Sequence, residues 1–381
     1  MEADKTNFAV LFEYTAFLRH FEDMPDHRQQ GKVAYPLNEI LLLALLAVIA
    51  GAETFTEIAR FGQSKIKLLQ RFLPFTDGTP AHDHLGDIFA TLDAEAFQRC
   101  FVAWVAEATG CPPDVIAIDG KTSRRSYQKR DAKAPIHMVS AFAARQRLVL
   151  GQIKVSEKSN EITAIPALIE MMEIEGAVIT IDAMGCQRAI AETILKKKAD
   201  YIFSLKGNQG TLQEDVKLFV IEQQAKGFKD AKIRRHETVD GDHGRIEMRR
   251  YTVIHDVKWL RERHGWPGLR SVIVVESTRE FRGKTERETR LYISSLDLAA
   301  EVVAQMIRDH WTVENNLHWV MDMVFRDDEC RVRKDHAPAN FTTIKHAAFN
   351  FLKRAPGKDS MRVKRKRAAW EDDFLCSAVA P

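Results

Sequence analysis

Val115-Ile116-Ala117-Ile118-Asp119-Gly120-Lys121 is an apolar run that closes on one aspartate followed by a small residue. The setting recurs downstream in Val178-Ile179-Thr180-Ile181-Asp182-Ala183, and a late helical stretch offers a third carboxylate in Trp311-Thr312-Val313-Glu314-Asn315. A short β-branched run of this kind reads as a buried strand, and the charge at its end is then held at a sheet's carboxyl edge. Taken singly, each aspartate reads as a capping or turn residue, and Glu314 as part of a solvated helix face. Their combination on one sheet reads otherwise.

Outward from the first run, strands are expected at Val115 to Asp119, Ile136 to Ala143 and Leu148 to Val155. A helix from Thr163 to Ile174, a strand from Ala177 to Asp182, a helix from Arg188 to Lys198 and a strand from Tyr201 to Lys206 follow. Three strands with short links favour an antiparallel meander, and the later alternation favours parallel crossovers on the same sheet. This βββ-αβ-αβ order is that of a ribonuclease-H-like mixed sheet flanked by helices, an α/β fold. It predicts that the first and fourth strands are neighbours, so Asp119 and Asp182 meet at the edge where open α/β sheets place ligands.

Residues 1–110 read as a separate helical domain, with Ile40, Leu43, Leu46, Ala47 and Ala50 at three-to-four spacing and Cys111-Pro112-Pro113 closing the region. The second domain spans 111–352. Within it, about 226–296 reads as an inserted β-rich subdomain, carrying Thr252-Val253-Ile254, Ser271 to Val275 and Glu288 to Ile293, with turns such as Asp240-Gly241-Asp242. One helix is expected from about Ala299 to Phe325, with Val313, Leu317, Val320 and Val324 as its core stripe and Glu314 on the shoulder. Residues 353–381 read as a basic C-terminal tail.

The 381 residues suffice for two or three domains, and 45% hydrophobic content supplies a core. Because 56 basic residues face 53 acidic ones, the net charge of +3 says little about partners and the placement of charge says more. Five scattered cysteines, none in a C-x-x-C spacing, argue against zinc or a redox pair and suit a reducing cytoplasm. The apolar stretch from Ile40 to Ala52 is thirteen residues, too short to span a bilayer, and Met1-Glu2-Ala3-Asp4-Lys5 opens no signal peptide.

Three carboxylates without histidine or thiolate ligands favour a hard cation, Mg²⁺ or Mn²⁺, over zinc. Two such ions about 3.5 to 4 Å apart serve in-line phosphoryl displacement, the chemistry of nucleases and strand transferases. Asp322, Asp327 and Asp328 compete with Glu314 for the third place.

With these residues in hand, the chain resembles the DDE transposases of bacterial insertion sequences, specifically the ISAs1 type that includes the H-repeat-associated proteins. The resemblance covers nearly the whole chain. Its carriers are Tyr35-Pro36-Leu37, Ile118-Asp119-Gly120-Lys121, Lys158-Ser159-Asn160-Glu161-Ile162, Ile181-Asp182-Ala183-Met184-Gly185-Cys186-Gln187, Leu205-Lys206-Gly207-Asn208-Gln209, Asp242-His243-Gly244-Arg245-Ile246-Glu247, Tyr292-Ile293-Ser294-Ser295-Leu296 and His310-Trp311-Thr312-Val313-Glu314-Asn315-Asn316-Leu317-His318-Trp319. The resemblance implies a catalytic triad of Asp119, Asp182 and Glu314 with Mg²⁺, acting on double-stranded DNA at terminal inverted repeats and in target DNA. It further implies a homodimer in the DNA complex and a cytoplasmic, nucleoid-associated protein with no membrane partner. A broader group of such transposases carries Y-x-x-R-x-x-x-E-x-x-x-x-x-x-K, but here Ile307, His310 and Met321 stand at the tyrosine, arginine and lysine positions. Hairpin formation through those residues is therefore not implied.

Candidate DNA contacts are Lys121 and Lys206 near the sheet edge, His243 and Arg245 on the insertion, and His310 in the helix before Glu314. The tail adds Lys364, Arg365, Lys366 and Arg367, whose run suits phosphate tracking. Trp311 and Trp319 read as core residues. A decayed or domesticated copy that binds DNA without turnover is the alternative function, and a metal nuclease without strand transfer a third.

Overall fold

The computed structural model describes residues 17–110, 114–127, 134–156, 160–242, 245–281 and 283–379. Helices come first: α1 (Leu37–Ile49), α2 (Phe55–Ser64), α3 (Ile66–Leu69), α4 (His82–Thr91) and α5 (Ala94–Thr109). Leucine and alanine, strong helix formers, fill α1, and every residue from Ile40 to Ile49 is buried, so this helix is apolar on all sides and lies inside the molecule. Helix α2 starts at a capping box, with the Thr54 hydroxyl accepting from the Glu57 N–H and Glu57 reaching back to the Thr54 N–H.

The sheet follows with β1 (Val115–Thr122), β2 (His137–Ala143), β3 (Leu148–Lys154), α6 (Glu161–Glu170), β4 (Val178–Ile181), α7 (Arg188–Lys196), β5 (Asp200–Leu205) and α8 (Gly210–Ala225). The chain continues through β6 (Ile233–Asp242), β7 (Arg245–Ile254), α9 (Lys258–His264), β8 (Ser271–Phe281) and β9 (Lys284–Ser294). The nine strands among the described residues form one mixed sheet in the order β3-β2-β1-β4-β5-β9-β8-β7-β6. Strands β1, β4 and β5 are parallel, joined by crossovers through α6 and α7, while β1–β2–β3 and β5–β9–β8–β7–β6 pair antiparallel.

The region expected as an inserted β subdomain is thus continuous with the main sheet through the β5–β9 ladder. Asp240-Gly241-Asp242, expected as a turn, lies inside β6, where Asp240 pairs with Glu247 and Asp242 with Arg245. Ladder pairing sustains this half of the strand without an apolar face.

Along the strands, alternate residues feed two cores. Ile116, Ile118, Ile179, Ile181 and Phe203 join the main apolar cluster, which also holds α1 and so ties the first helices to the sheet. Val115, Val178, Ile202, Tyr251 and Ile273 face the other way, against α10 (Ala300–His310).

Beyond α10 the chain makes a π-helical segment over Val313–His318 and a short α11 (Trp319–Met323), in place of the single helix expected. An i→i+5 turn is wider than an α turn, so residues four apart fall on one face. The core stripe is accordingly Val313, Leu317 and Met321, with Phe325 beyond the helix, and Val320 and Val324 are only partly buried. Trp311 and Trp319, expected inside, are 40% and 58% exposed on the opposite side.

The long α12 (Ala337–Arg354) then packs on α1, α4, α5 and β3, and α13 (Met361–Trp370) and α14 (Asp372–Ala378) fold back on it. Residues 353–381 were expected as a basic tail; most of them are helix. Among the described residues no helix is long and apolar enough to cross a membrane.

Candidate active site

Strand β1 carries Asp119, and Asp182 follows the last residue of β4, whose Ile181 pairs with Ile118. Two carboxylates therefore stand side by side where the parallel β1–β4 ladder ends, while β1 itself runs on to Thr122 against β2. Asp119 Oδ1 accepts from the Gly120 N–H at 2.9 Å, and Asp182 Oδ1 accepts from the Met184 N–H at 3.0 Å and the Gly185 N–H at 3.4 Å. Asp182 thus makes the turn-capping bonds that a strand-end aspartate makes on its own account.

Glu314 is exposed on the π-helical segment and shares a cavity of about 200 Å³ with Asp182, Lys206, Arg290, His310 and Trp311. The π turn sets Glu314, His318 and Asp322 along one side, next to the buried stripe. Wide turns of this kind recur at functional sites, where they aim a side chain that a plain α-helix would turn away.

Asp119 is pushed up to about 7, first by burial and then by the negative charges of Asp182, Glu161 and Glu314, against the Gly120 N–H, which lowers it. Among the described residues no ion pair to lysine or arginine joins Asp119, Asp182 or Glu314. His318 Nδ1 lies 3.5 Å from Asp119 Oδ2, but burial and then Lys121 hold the imidazole down at about 4, so it is neutral near pH 7.

Glu161 is a fourth acid in this group, and its place in the sequence suggests no such role. It opens α6, with Oε1 2.5 Å from His137 Nε2, and His137 Nδ1 lies 2.7 Å from the Thr122 hydroxyl. A Cβ at position 120 would collide with the Glu161 carboxylate and the His137 ring, so glycine is needed for this close approach. The signal available was the Lys158-Ser159-Asn160-Glu161-Ile162 motif, whose Lys158 and Ser159 lie outside the described residues.

The competitors for the third carboxylate are occupied. Asp327 is buried, with Lys345 Nζ at 2.8 Å and the Ser123 hydroxyl donating at 2.7 Å; burial would raise it, but Lys345 holds it well below the usual carboxylate range. Asp322 and Asp328 share Lys121 at 2.6 and 3.4 Å, and Asp328 also meets Arg124 at 3.4 Å. Glu314 is the acid of this segment left facing the cavity without a cation.

Of the expected DNA contacts, Lys206 is exposed at the cavity rim. Lys121 is instead committed to Asp322 and Asp328. His310 is packed inward with Nδ1 3.0 Å from the Thr180 hydroxyl, and burial lowers its pKa, so it is no cationic phosphate contact. Arg245 pairs with Glu247 at 2.7 Å, and His243 lies outside the described residues.

Lys364 and Arg365 correct the reading of the tail. Lys364 Nζ donates to the Ala355 carbonyl at 2.5 Å and the Leu352 carbonyl at 3.2 Å, closing the end of α12. Arg365 is buried, donating to Val48 at 3.0 Å, Ala52 at 3.4 Å and Val324, with its guanidinium over the Phe325 ring. Both cations donate to carbonyls at helix and loop ends, the Val48 carbonyl also accepting from the Gly51 N–H at 3.1 Å. Arg367 pairs with Asp359 and Glu371, and Lys366 is exposed.

The donor set of carboxylate oxygens, with like charges crowding Asp119, suits a hard divalent cation. As they stand, no three acidic, histidine or cysteine side chains among the described residues share an ion-binding position.

Residues 110–351 match the family model described as transposase DDE domain, and residues 18–105 match the one described as DDE_Tnp_1-associated. The H repeat-associated putative transposase YhhI of Escherichia coli K12 is 39% identical over 376 residues, spanning 97% of this chain and 98% of its own. The putative transposase YncI of Escherichia coli O157:H7 is 39% identical over 371 residues, spanning 96% and 94%. A piggyBac transposase synaptic complex with hairpin DNA, solved by cryo-EM, aligns with 96% of this chain and 80% of its own at 9% identity and a TM-score of 0.44.

Proposed function

The chain belongs to the DDE transposase family, and from that premise we propose that it cleaves DNA at the terminal inverted repeats of a bacterial insertion sequence and joins the freed ends to target DNA. The observation that carries this reading is Asp119 beside Asp182 where the parallel β1–β4 ladder ends, with Glu314 facing the same edge and, among the described residues, no lysine or arginine ion pair to any of the three. Asp119, Asp182 and Glu314 would hold Mg²⁺ or Mn²⁺. Bound there, the ions supply activation of an attacking hydroxyl and charge stabilisation at the leaving oxygen.

The chain's own residues do the rest. Exposed Lys206 at the rim offsets phosphate charge beside the acids. His310, neutral and fixed on Thr180, walls the cavity without contributing a charge. The ribonuclease-H-like reading of the core rests on the first five strands, which lie in the order β3-β2-β1-β4-β5. We assign recognition of the terminal repeats to the helices within 1–110, catalysis to 111–352, and assembly to a homodimer on DNA in the cytoplasm.

Cleavage of a duplex carrying the element's end tests the reading. Loss of nicking in EDTA and in Asp119→Ala is expected, and undiminished nicking in either would overturn it. One observation favours a second reading: position 310 holds a half-buried histidine whose pKa burial lowers, and position 321 a core methionine, where the broader group carries arginine and lysine. Salt-sensitive binding to the inverted repeats without nicking in any metal would favour a DNA-binding protein that has lost turnover.

A further inference from the structure

A cavity of about 700 Å³ lies between α10 and the β7–β8–β9 part of the sheet, next to the candidate active site. Seven arginines line it, among them Arg147 from the turn after β2, Arg249 from β7, Arg279 from β8, Arg290 from β9 and Arg308 from α10. Its floor is apolar, formed by the buried Tyr251, Val275, Tyr292 and Ile307. Among the described residues, three acids, Glu247, Glu288 and Asp309, line the space against the seven arginines.

Six of the seven arginines, all but Arg147, are held by carboxylates before any ligand arrives. Glu247, 8% exposed, is met by Arg245 at 2.7 Å, Arg249 at 2.8 Å and Arg279 at 3.5 Å, and Asp240 is shared by Arg249 and Arg308. Each guanidinium has five N–H donors, so one carboxylate leaves others to aim into the cleft, and a pinned fork loses little entropy on meeting a phosphate. A lattice serving only to brace the hairpin would balance its charges and close over them. This one stays open, and although Asp240, Asp114 and Glu286 pair with its arginines from outside the lining, among the described residues Arg147 is left over with no ion pair.

Arg290 and Trp311 border both this cleft and the cavity that holds Asp182 and Glu314. Trp311 is 40% exposed, with the Arg290 guanidinium 4.9 Å from its ring centroid. A strand leaving the carboxylates therefore passes an aromatic ring and enters an arginine-walled trough. A cavity of that volume is of the size that encloses a small ligand, so it admits one strand and excludes a double helix. An electropositive groove with an aromatic platform is the makeup of a single-strand site.

Resting on the transposase reading, we infer that this cleft binds the sugar-phosphate backbone of a short single DNA strand running on from the reacting phosphate. Fluorescence anisotropy on the full chain, with a short oligothymidylate and with the element-end duplex, tests it against Arg147→Ala/Arg279→Ala. Single-strand affinity should fall at least tenfold, and the slope of log K against log salt should shrink by about 0.7 for each phosphate that the variant no longer neutralises. Duplex affinity should change less than threefold. Unchanged single-strand binding, or equal losses for both DNAs, would overturn the inference, as would displacement of the strand by micromolar ATP, which would make the cleft a free-nucleotide site. Arg147→Glu, on an exposed turn outside the ion pairs that hold Glu247 and Asp240, gives the same readout if the double variant melts early. If the wild-type protein neither binds nor nicks the duplex, the transposase reading fails instead, a result separable from loss of the cleft alone.

Discussion

Asp327 and Asp119 are both largely buried aspartates set against the segment after α10, and their surroundings are opposite. Asp327 has Lys345 at 2.8 Å and the Ser123 hydroxyl at 2.7 Å, and it is held well below the usual carboxylate range. Among the described residues Asp119 has its neighbour's N–H and a neutral histidine, and three other acids help burial push it up to about 7. A buried charge is stable only when paired, so an unpaired group of acids is retained for a partner that comes from outside the chain. The contrast separates bracing carboxylates from working ones more sharply than sequence position does, since Asp322, Asp327 and Asp328 all lie within fifteen residues of Glu314.

The largest effect should come from the unpaired group. Asp182→Asn is expected to lower nicking of an element-end duplex on the order of a thousand-fold or more, the scale of losing one member of a catalytic unit. Its urea midpoint should stay close to that of the wild type. Normal nicking with a lowered midpoint would reverse the comparison and make Asp182 a turn cap. From the paired group, Lys345→Met leaves Asp327 buried with the Ser123 hydroxyl but without its ion pair, and a loss of roughly 3 to 5 kcal/mol in urea denaturation is expected. A loss under about 1 kcal/mol would mean that water reaches Asp327 and that the pair is not sealed.

How far this contrast was readable depended on which physics each residue obeys. Period-two and β-branched runs gave β1 to β5 and hence the adjacency of Asp119 and Asp182, because those strands are buried and their apolar content is the cause of their pairing. Strand β6 has no such content and is held by its ladder with β7, so its polar end read as a turn. The π turn left no compositional mark, and with it went the true stripe through Met321 and the exposure of Trp311 and Trp319. Lys364 and Arg365 were read by charge alone, whereas their place is set by carbonyls hundreds of residues away in sequence or at the end of a neighbouring helix. Glu161 was visible as a motif and silent as chemistry, since its nearness to Asp119 depends on a glycine and a histidine that only the fold brings together.

A third variant asks whether the tail cations belong with the paired group. Arg365→Ala strips donors from the Ala52 and Val324 carbonyls, while Val48 keeps the Gly51 N–H, and should cost about 2 kcal/mol of stability, the scale of leaving buried acceptors unmet. DNA affinity measured well below the melting temperature should be unchanged. A stable variant with weakened, less salt-dependent DNA binding would return Arg365 to the phosphate-tracking role.

The smallest effect is the most direct test of crowding at Asp119. Its folded pKa of about 7 lies above the ordinary value of 3.8, so between those limits the folded chain keeps a proton that the unfolded chain releases. The stabilisation is complete below about pH 4 and is lost as pH rises through 7. In metal-free buffer the wild-type melting temperature should therefore fall between pH 5 and pH 8 by more than that of Asp119→Asn, which cannot ionise there. Because the other acids share the repulsion, the gap should be about 1 kcal/mol, or roughly 2 °C. Mn²⁺ at pH 8 should restore the wild type and leave Asp119→Asn nearly unmoved, because a cation offsets only charge that is present. Parallel melting curves with and without the ion would show that Asp119 is already compensated within the fold, and the distinction between the two groups of acids would lose its physical basis.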